Sequence, residues 1–370
     1  MISFWEKESF MQYHLIVIGS GIVGLSTAFE YKEKYPNKRV LILEKGILPS
    51  GASTKNAGFA CFGSLTEICD DLENYSEEFV LQTVQKRYNG LQRLRQRVGD
   101  KKMDFYAYGG YELICKEQLF YLNQLHEVND LLSPIFHQKV FLERGFKTPR
   151  FGFDDHQVKE LLYNPLEGQI HTGKMMTALL KIARSKDIEI LTGIEVKQLN
   201  EESKNVLITT DKKLEFKAEQ VAVCVNAFAS KLLPQYKIQP GRGQVVITKP
   251  IQNLPIEGTY HYDRGYYYFR NVGDRLLIGG GRHLAYEAET TTEFATTTQI
   301  TQPINDLLKE VILPGVDFEI EQEWSGIMGF GDKKAPIIEK LSDKIAVGIR
   351  MGGMGIAIGS EVGHELSNLI

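Results

Sequence analysis

Cysteine is scarce: the chain of 370 residues has four, at Cys61, Cys69, Cys115 and Cys224. None forms a CxxC pair and their gaps fit no zinc pattern, so no metal site is expected and a disulfide framework is not indicated. The simple reading is a reducing, cytoplasmic setting. Positive charge is not in excess either. Lysine and arginine number 43 against 47 acidic residues, a formal net charge of -4, which argues against a nucleic-acid partner gripped through broad phosphate contacts. No stretch is long and apolar enough to read as a transmembrane helix. The apolar run at residues 15–29 comes after Glu6, Lys7 and Glu8 and carries three regularly spaced glycines. A buried strand turning into a helix explains those glycines, whereas a targeting segment does not.

The rest of the composition is ordinary for a globular protein: 43% hydrophobic and 24% charged residues. The length suggests two domains at roughly 100–200 residues each. Residues 1–12 read as a short helix or arm whose Phe4, Trp5 and Phe10 pack against the adjoining domain. Residues 14–18 form a β-branched strand, 22–34 have helical periodicity ended by Pro36-Asn37, and 39–43 form a second buried strand. Strand, glycine turn, helix and strand make a βαβ unit with a right-handed crossover. Residues 46–64 read as an ordered loop of small residues, 65–98 as mostly helical, 106–115 as a strand and 117–132 as a helix. A helix is expected at 173–185 and a strand at 189–192. Residues 196–199 and 206–210 look like a hairpin, with further strands at 215–217 and 220–225. The stretches 243–248, 265–271 and 275–280 form a β-rich block. Strands at 317–326 and 344–349 precede a glycine turn and a helix from about residue 355. No repeat or low-complexity segment occurs.

The fold class expected is therefore α/β: a Rossmann-type dinucleotide-binding domain with a parallel sheet, interrupted by a β-rich α+β substrate domain. The boundaries expected are 1–85, 150–235 and 325–370 for the first, with 86–149 and 236–324 for the second.

Gly19-Ser20-Gly21-Ile22-Val23-Gly24 matches GxGxxG between a strand and a helix. The first glycine permits a tight turn, the second lets a pyrophosphate approach the backbone, and the third lets helix and strand pack closely. The helix N-terminus then offers free N–H groups and partial positive charge. Glu44, with Lys45 next to it, ends the second strand, where a carboxylate accepts from ribose hydroxyls and repels a 2′-phosphate, so NADP is disfavoured.

The fingerprint alone does not separate FAD from NAD. Ser53, Thr54, Lys55, Asn56, Ala57 and Gly58 lie in a small-residue loop shortly after Glu44. Here the chain resembles the D-amino-acid-oxidase-like superfamily of FAD oxidoreductases, in particular its gamma-glutamylputrescine oxidase and glycine oxidase branch. The resemblance continues through GQIHT at 168–172, Val196, the turn VNAFA with Asn226, and PGRGQ at 240–244. Further on come Tyr267-Tyr268-Phe269-Arg270 with RLLIGG at 275–280, Trp324-Ser325-Gly326, and Ala335-Pro336-Ile337-Ile338. It spans about residues 13–363. It implies non-covalent FAD contacted by residues 53–58, by the Val196 backbone and by Asn226. It also implies that Gly352, Gly353, Met354, Gly355 and Ile356 face the flavin pyrimidine, where a helix N-terminus stabilises charge on reduction. The segment after Trp324-Ser325-Gly326 holds no cysteine for covalent attachment.

The reaction implied is oxidation of the C–N bond of a small amine or amino acid, with hydride passing to flavin N5. A 2-hydroxy-acid oxidoreductase on the same fold and a non-catalytic FAD-binding protein remain alternatives, and an NAD-dependent dehydrogenase is the competitor outside flavin chemistry. The arginine often found two residues after the "W-x-G" is replaced by Met328. Arg350, bordering the glycine turn, is the first candidate for a carboxylate, with Arg270 and Arg282 behind it. Arg282 also reads as a surface charge. His261 is a candidate proton acceptor, and Tyr267 stands for the aromatic clusters 260–262 and 266–268, of which alternation sends about half away from any pocket. The oligomeric state is not readable from these features.

Overall fold

The computed structural model describes residues 1–144 and 151–370. Its first sheet is built on five parallel strands in the order Ile345–Ile349, Glu215–Val223, Gln12–Ile18, Val40–Glu44 and Ile188–Thr192. Val40–Glu44 and Ile345–Ile349 are buried along their whole length. Uninterrupted apolar strands of this kind belong between two covering layers. One layer holds the helices Ile22–Lys34, Thr172–Ser185 and Gly355–Ser367. The first and last of these touch closely: a side chain at Gly363 would meet Ser26 Cβ at 2.4 Å. The hairpin Val196–Glu201 and Val206–Thr210 extends the sheet antiparallel on Glu215–Val223.

The second sheet has eight strands in the order Ile320–Phe330, Gln239–Thr248, Arg275–Gly280, Tyr267–Val272, Thr259–Tyr262, Gly110–Cys115, Val158–Asn164 and Leu142–Glu143. Its core is aromatic. Tyr260 stacks on Phe269 and on Tyr111, each at 4.8 Å between ring centroids. The helix Thr298–Leu307 packs on this side. An α/β nucleotide fold carrying a β-rich second unit is therefore what the chain forms.

Several elements differ from expectation for identifiable reasons. The helix Phe4–Phe10 forms through a Ser3/Glu6 capping box and buries none of its residues. Phe4, Trp5 and Phe10 are thus exposed rather than packed. The strands expected at 215–217 and 220–225 are one, Glu215–Val223. Its first half pairs with Val206–Thr210 and its second with Gln12–Ile18, so the polar residues between them do not end it. The strand expected at 106–115 begins only at Gly110, after Gly109 at positive φ. The helix expected at 117–132 is a 3-10 stretch, Lys116–Gln124, running into Leu125–Phe136. Residues 52–55 of the expected loop form a helical turn. Val158–Asn164 falls in the stretch assigned to the nucleotide unit, yet it pairs with Gly110–Cys115 in the second sheet. Ile320–Phe330 runs across the 324/325 boundary.

Candidate active site

A cavity of about 1160 Å³ runs between the two sheets. At one end the strand Gln12–Ile18 delivers Gly19, at φ 103°, into the turn that starts the helix Ile22–Lys34. A side chain at Gly24 would lie 1.9 Å from the Gly19 carbonyl oxygen, so the third glycine is compulsory. At the other side the strand Ile345–Ile349 ends in Gly352 and Gly353, both at positive φ, before the helix Gly355–Ser367. The N-cap residues of these two helices, Gly21 and Met354, supply no side-chain cap, nor do those of Leu125–Phe136 and Thr298–Leu307. The helices Phe4–Phe10, Leu65–Asn74 and Glu77–Val98 are capped by Ser3, Ser64 and Ser76. Uncapped first-turn N–H groups need an acceptor, and the ends at Gly21 and Met354 open on the cavity.

Glu44 is buried on the cavity wall with its carboxylate fixed from both sides. Its Oε2 accepts from Ser20 N at 3.0 Å and Ser20 Oγ at 2.7 Å. Its Oε1 accepts from Gly46 N at 2.9 Å and Ser50 Oγ at 3.3 Å. The small-residue loop is tied to the fingerprint by Ile22 N, which donates to Ser53 Oγ at 3.0 Å. The structure places Gly19, Gly21, Ile22, Val23, Glu44, Lys45, Ser53, Lys55, Asn56, Ala57, Gly58, Val196 and Asn226 on one wall-to-wall surface. Gly352, Gly353, Met354, Gly355 and Ile356 join them there. Gly24 and Thr54 stand behind it. Thr54 Oγ1 donates to Pro49 O at 2.7 Å and so shapes the loop. Asn226 also works from behind: its Oδ1 accepts from Arg350 N and Met351 N at 3.0 Å each, holding the glycine turn.

Of the four residues expected at the reacting end, only His261 lines the cavity. Arg350 holds φ 67°, and its Nε donates to Ala335 O at 2.9 Å. It lines an adjoining cavity of about 230 Å³ that shares Glu67, Gly331 and Met354 with the first. Arg270 is buried under the small-residue loop. Its Nε donates to Ala57 O, its Nη2 to Ile170 O at 3.1 Å and its Nη1 to Asn271 O at 3.0 Å, so it is a brace for that loop. Tyr267 points into the aromatic core, because in the strand Tyr267–Val272 the opposite face, carrying Tyr268, meets the cavity. Sequence reasoning names Tyr266 only within the cluster 266–268, does not single out His283 or Glu67, and puts Arg282 behind Arg350 and Arg270. Tyr266, His283, Glu67 and Arg282 all line the cavity, as does Tyr268. The alternation of the strand carries the signal for Tyr268 over Tyr267. Nothing local marks Glu67, whose place depends on a helix from one part of the chain meeting a strand from another.

His261 is buried, and burial pulls its pKa below the usual histidine value, opposed by the Glu67 charge. Its Nδ1 lies 4.0 Å from Glu67 Oε2. Burial pushes Glu67 upward, but His261 and Arg87 outweigh it and hold the carboxyl below its ordinary value. Two further glutamates sit deeper. Glu112, the register neighbour of His261, accepts from Thr66 Oγ1 and is pushed up to about 7 by burial. Glu167 accepts from Phe62 N at 3.0 Å and is pushed up to about 8, again by burial. Cys61 lines the cavity as a buried thiol, raised well above its usual value by burial and by Glu167. Among the described residues no cluster of side chains is suited to a metal ion, and no helix is long and apolar enough to cross a membrane.

Two helix N-termini open on the cavity, a braced carboxylate on its wall and a long connecting loop of small residues fit an extended dinucleotide. Residues 14–369 match the family model of the FAD-dependent oxidoreductases, DAO. The chain belongs to that family. The L-2-hydroxyglutarate dehydrogenase of Escherichia coli (strain K12) is 24% identical over 298 residues, which is 75% of this chain but only 65% of that relative's length. The glycine oxidase of Geobacillus kaustophilus (strain HTA426) is 25% identical over 288 residues, covering 72% of this chain and 70% of the relative. Among solved structures, L-proline dehydrogenase from P. horikoshii superposes with a TM-score of 0.79 at 19% identity, covering 97% of this chain and 93% of that one. Glycine oxidase from Geobacillus kaustophilus gives 0.78 at 20% identity, covering 97% and 94%. FAD would lie along the wall from Glu44 to Met354 and supply the hydride acceptor.

Proposed function

We propose that this flavoprotein oxidises the C–N bond of a small amine or amino acid, with a 2-hydroxy acid as the second reading. The carrying observation is one unbroken cavity. It joins the helix ends at Gly21 and Met354 to a chamber walled by Tyr266, Tyr268, His261, His283 and Arg282. Similarity to a glycine oxidase supports the first reading, and similarity to L-2-hydroxyglutarate dehydrogenase supports the second.

In this reading the protein positions substrate and manages one proton. His261, kept neutral by burial, accepts the proton that the amine or hydroxyl loses. Glu67, anionic and 4.0 Å away, stabilises the imidazolium that results. The helix N-terminus at Met354-Gly355 would hold the cofactor with its free N–H groups and would favour negative charge placed there. Ser53, Lys55, Asn56, Ala57, Gly58 and Val196 would contact the cofactor along its length, and Phe59, Tyr266 and Tyr268 would exclude water from the chamber. Four unpaired thiols support a reducing compartment.

The test is anaerobic bleaching of the flavin by panels of amines, amino acids and 2-hydroxy acids. Bleaching by amino compounds supports the first reading, and bleaching by hydroxy acids alone replaces it with the second. A flavin that no donor in either panel reduces would remove both.

A further inference from the structure

Gly241 lies in the strand Gln239–Thr248, opposite Met328 of Ile320–Phe330. A side chain at 241 would collide with the Phe330 ring at 2.4 Å and with the Arg282 guanidinium carbon at 2.9 Å. The room left by that missing side chain is where the guanidinium rests. Its Cζ is 4.7 Å from the Phe330 ring centroid and 4.8 Å from that of Tyr286. All three side chains stand on the cavity wall.

The hydrogen bonding of this cation is unfinished. A guanidinium offers five N–H donors. Arg282 has one long bond, from Nη2 to Thr290 Oγ1 at 3.5 Å, and its buried Nε has no partner. Glu289, the acid whose charge it feels, is already occupied. Both Glu289 oxygens accept from Arg242, each at 2.8 Å. Arg242 is thus a completed buried pair, while Arg282, nearby, is a half-buried cation with donors to spare. An unpaired charge out of water is costly, and the two aromatic faces offset only part of that. Water can reach the outer edge of the guanidinium, but only an anion arriving in the cavity would also balance its charge.

We propose that Arg282 receives the carboxylate of the substrate, so that the protein acts on α-amino or α-hydroxy acids rather than on amines or alcohols lacking an acid group. This rests on the reading of the chamber as the substrate site. The guanidinium presents a planar edge that a carboxylate matches with two parallel hydrogen bonds. Met328, the residue facing Gly241, is uncharged, and Arg282 brings a charge to this patch from beyond the end of the neighbouring strand Arg275–Gly280. Gly241 leaves it the room.

The experiment uses the purified flavoprotein and unreactive probes. Acetate and benzoate are titrated while the flavin absorbance band is monitored, with acetamide and benzamide as neutral matches. Arg282→Met should weaken carboxylate binding tenfold or more and leave the amides within twofold. Arg282→Lys should recover part of the loss, since it keeps the charge without the fork. Unchanged carboxylate affinity in Arg282→Met, or an equal loss for the amides, overturns the assignment, as does a wild-type protein that binds neither acid. Flavin content and the melting temperature report whether each variant is folded. Should Arg282→Met lose its flavin, the Arg282→Lys comparison of acids with amides decides alone. If no donor bleaches the wild type while Arg282→Met still loses the acids, the arginine assignment holds and the redox reading fails. If amines without an acid group bleach the flavin as fast as amino acids do, the redox reading holds and this assignment falls.

Discussion

The two ends of the cavity are made differently. The dinucleotide end is built largely from backbone: N–H groups of two helix ends, and glycines whose missing side chains leave room. The chamber end is built from side chains that arrive from separate strands and loops, namely His261, Glu67, Tyr268 and Arg282. Backbone surfaces are damaged by adding atoms, and side-chain surfaces by removing them. The difference can be broken or sharpened by substitution.

The largest effect belongs to Gly24→Val. The new Cβ would sit 1.9 Å from the Gly19 carbonyl oxygen, and backbone cannot yield there as a flexible side chain would. Overpacking of this kind costs about 1–3 kcal/mol or more. The variant is expected to purify without yellow colour and to melt well below the wild type. Retained flavin at full occupancy would contradict the close-packed turn.

Arg270→Ala tests the brace between the two ends. Three carbonyl oxygens, of Ala57, Ile170 and Asn271, would lose their donor. Buried groups left unpaired cost roughly 1–3 kcal/mol each, reduced wherever water can enter the gap. The expected result is a lower melting temperature together with weaker FAD retention on dilution, because Ala57 lies on the cofactor wall. Loss of turnover with stability and flavin content unchanged would instead return Arg270 to the reacting residues.

Legibility in the chain divides along the same line. Gly19 to Gly24 and Glu44 are short local signals that spacing exposes, and the turn at Gly352 to Gly355 is a local run that the family resemblance picks out. The strand Val40–Glu44 and the helices Ile22–Lys34 and Gly355–Ser367 are readable for that reason. The chamber is not. Tyr267 and Tyr268 differ only in which face of a strand they occupy, and a register fixed by Thr259–Tyr262 decides between them. Arg350 borders the flavin turn in sequence, yet its backbone at φ 67° turns the side chain toward Ala335. Arg282 reads as a surface charge because Gly241, which admits it, lies forty-one residues earlier. The aromatic arm at residues 1–12, expected to pack, does not, since its helix is made by its own cap.

Glu167→Gln probes the buried acids beneath the chamber through pH. The pKa of Glu167 in the folded protein is raised from the ordinary 4.5 to about 8, chiefly by burial. A raised carboxyl favours the fold while it stays protonated. Its contribution is complete below about pH 4.5 and is lost as pH climbs through about 8. Glutamine keeps an acceptor for Phe62 N without the charge. Wild type and variant should therefore melt within about a degree or two of each other at pH 5. At pH 9 the variant should be the more stable, by an amount on the order of 1 kcal/mol or more. Equal melting temperatures at pH 9 would mean that the pKa of Glu167 is not raised in the folded protein.

Ser53→Ala carries the smallest effect and tests the comparison at its one exception, a side chain working inside the backbone-built end. Ser53 Oγ accepts from Ile22 N, the first N–H of the fingerprint helix. A pyrophosphate bound at that turn would compete for the same N–H group. Ser53 is then a substitute acceptor that holds the helix end until the cofactor replaces it. Removing it should cost the apoprotein about 1 kcal/mol, as loss of a helix cap does. The FAD-loaded protein should lose less, since the phosphate takes over the bond. Melting curves of the two forms give both numbers. A larger loss in the loaded form would mean that the serine hydroxyl contacts the cofactor while still accepting from Ile22, and that the nucleotide end depends on side chains more than its glycines suggest.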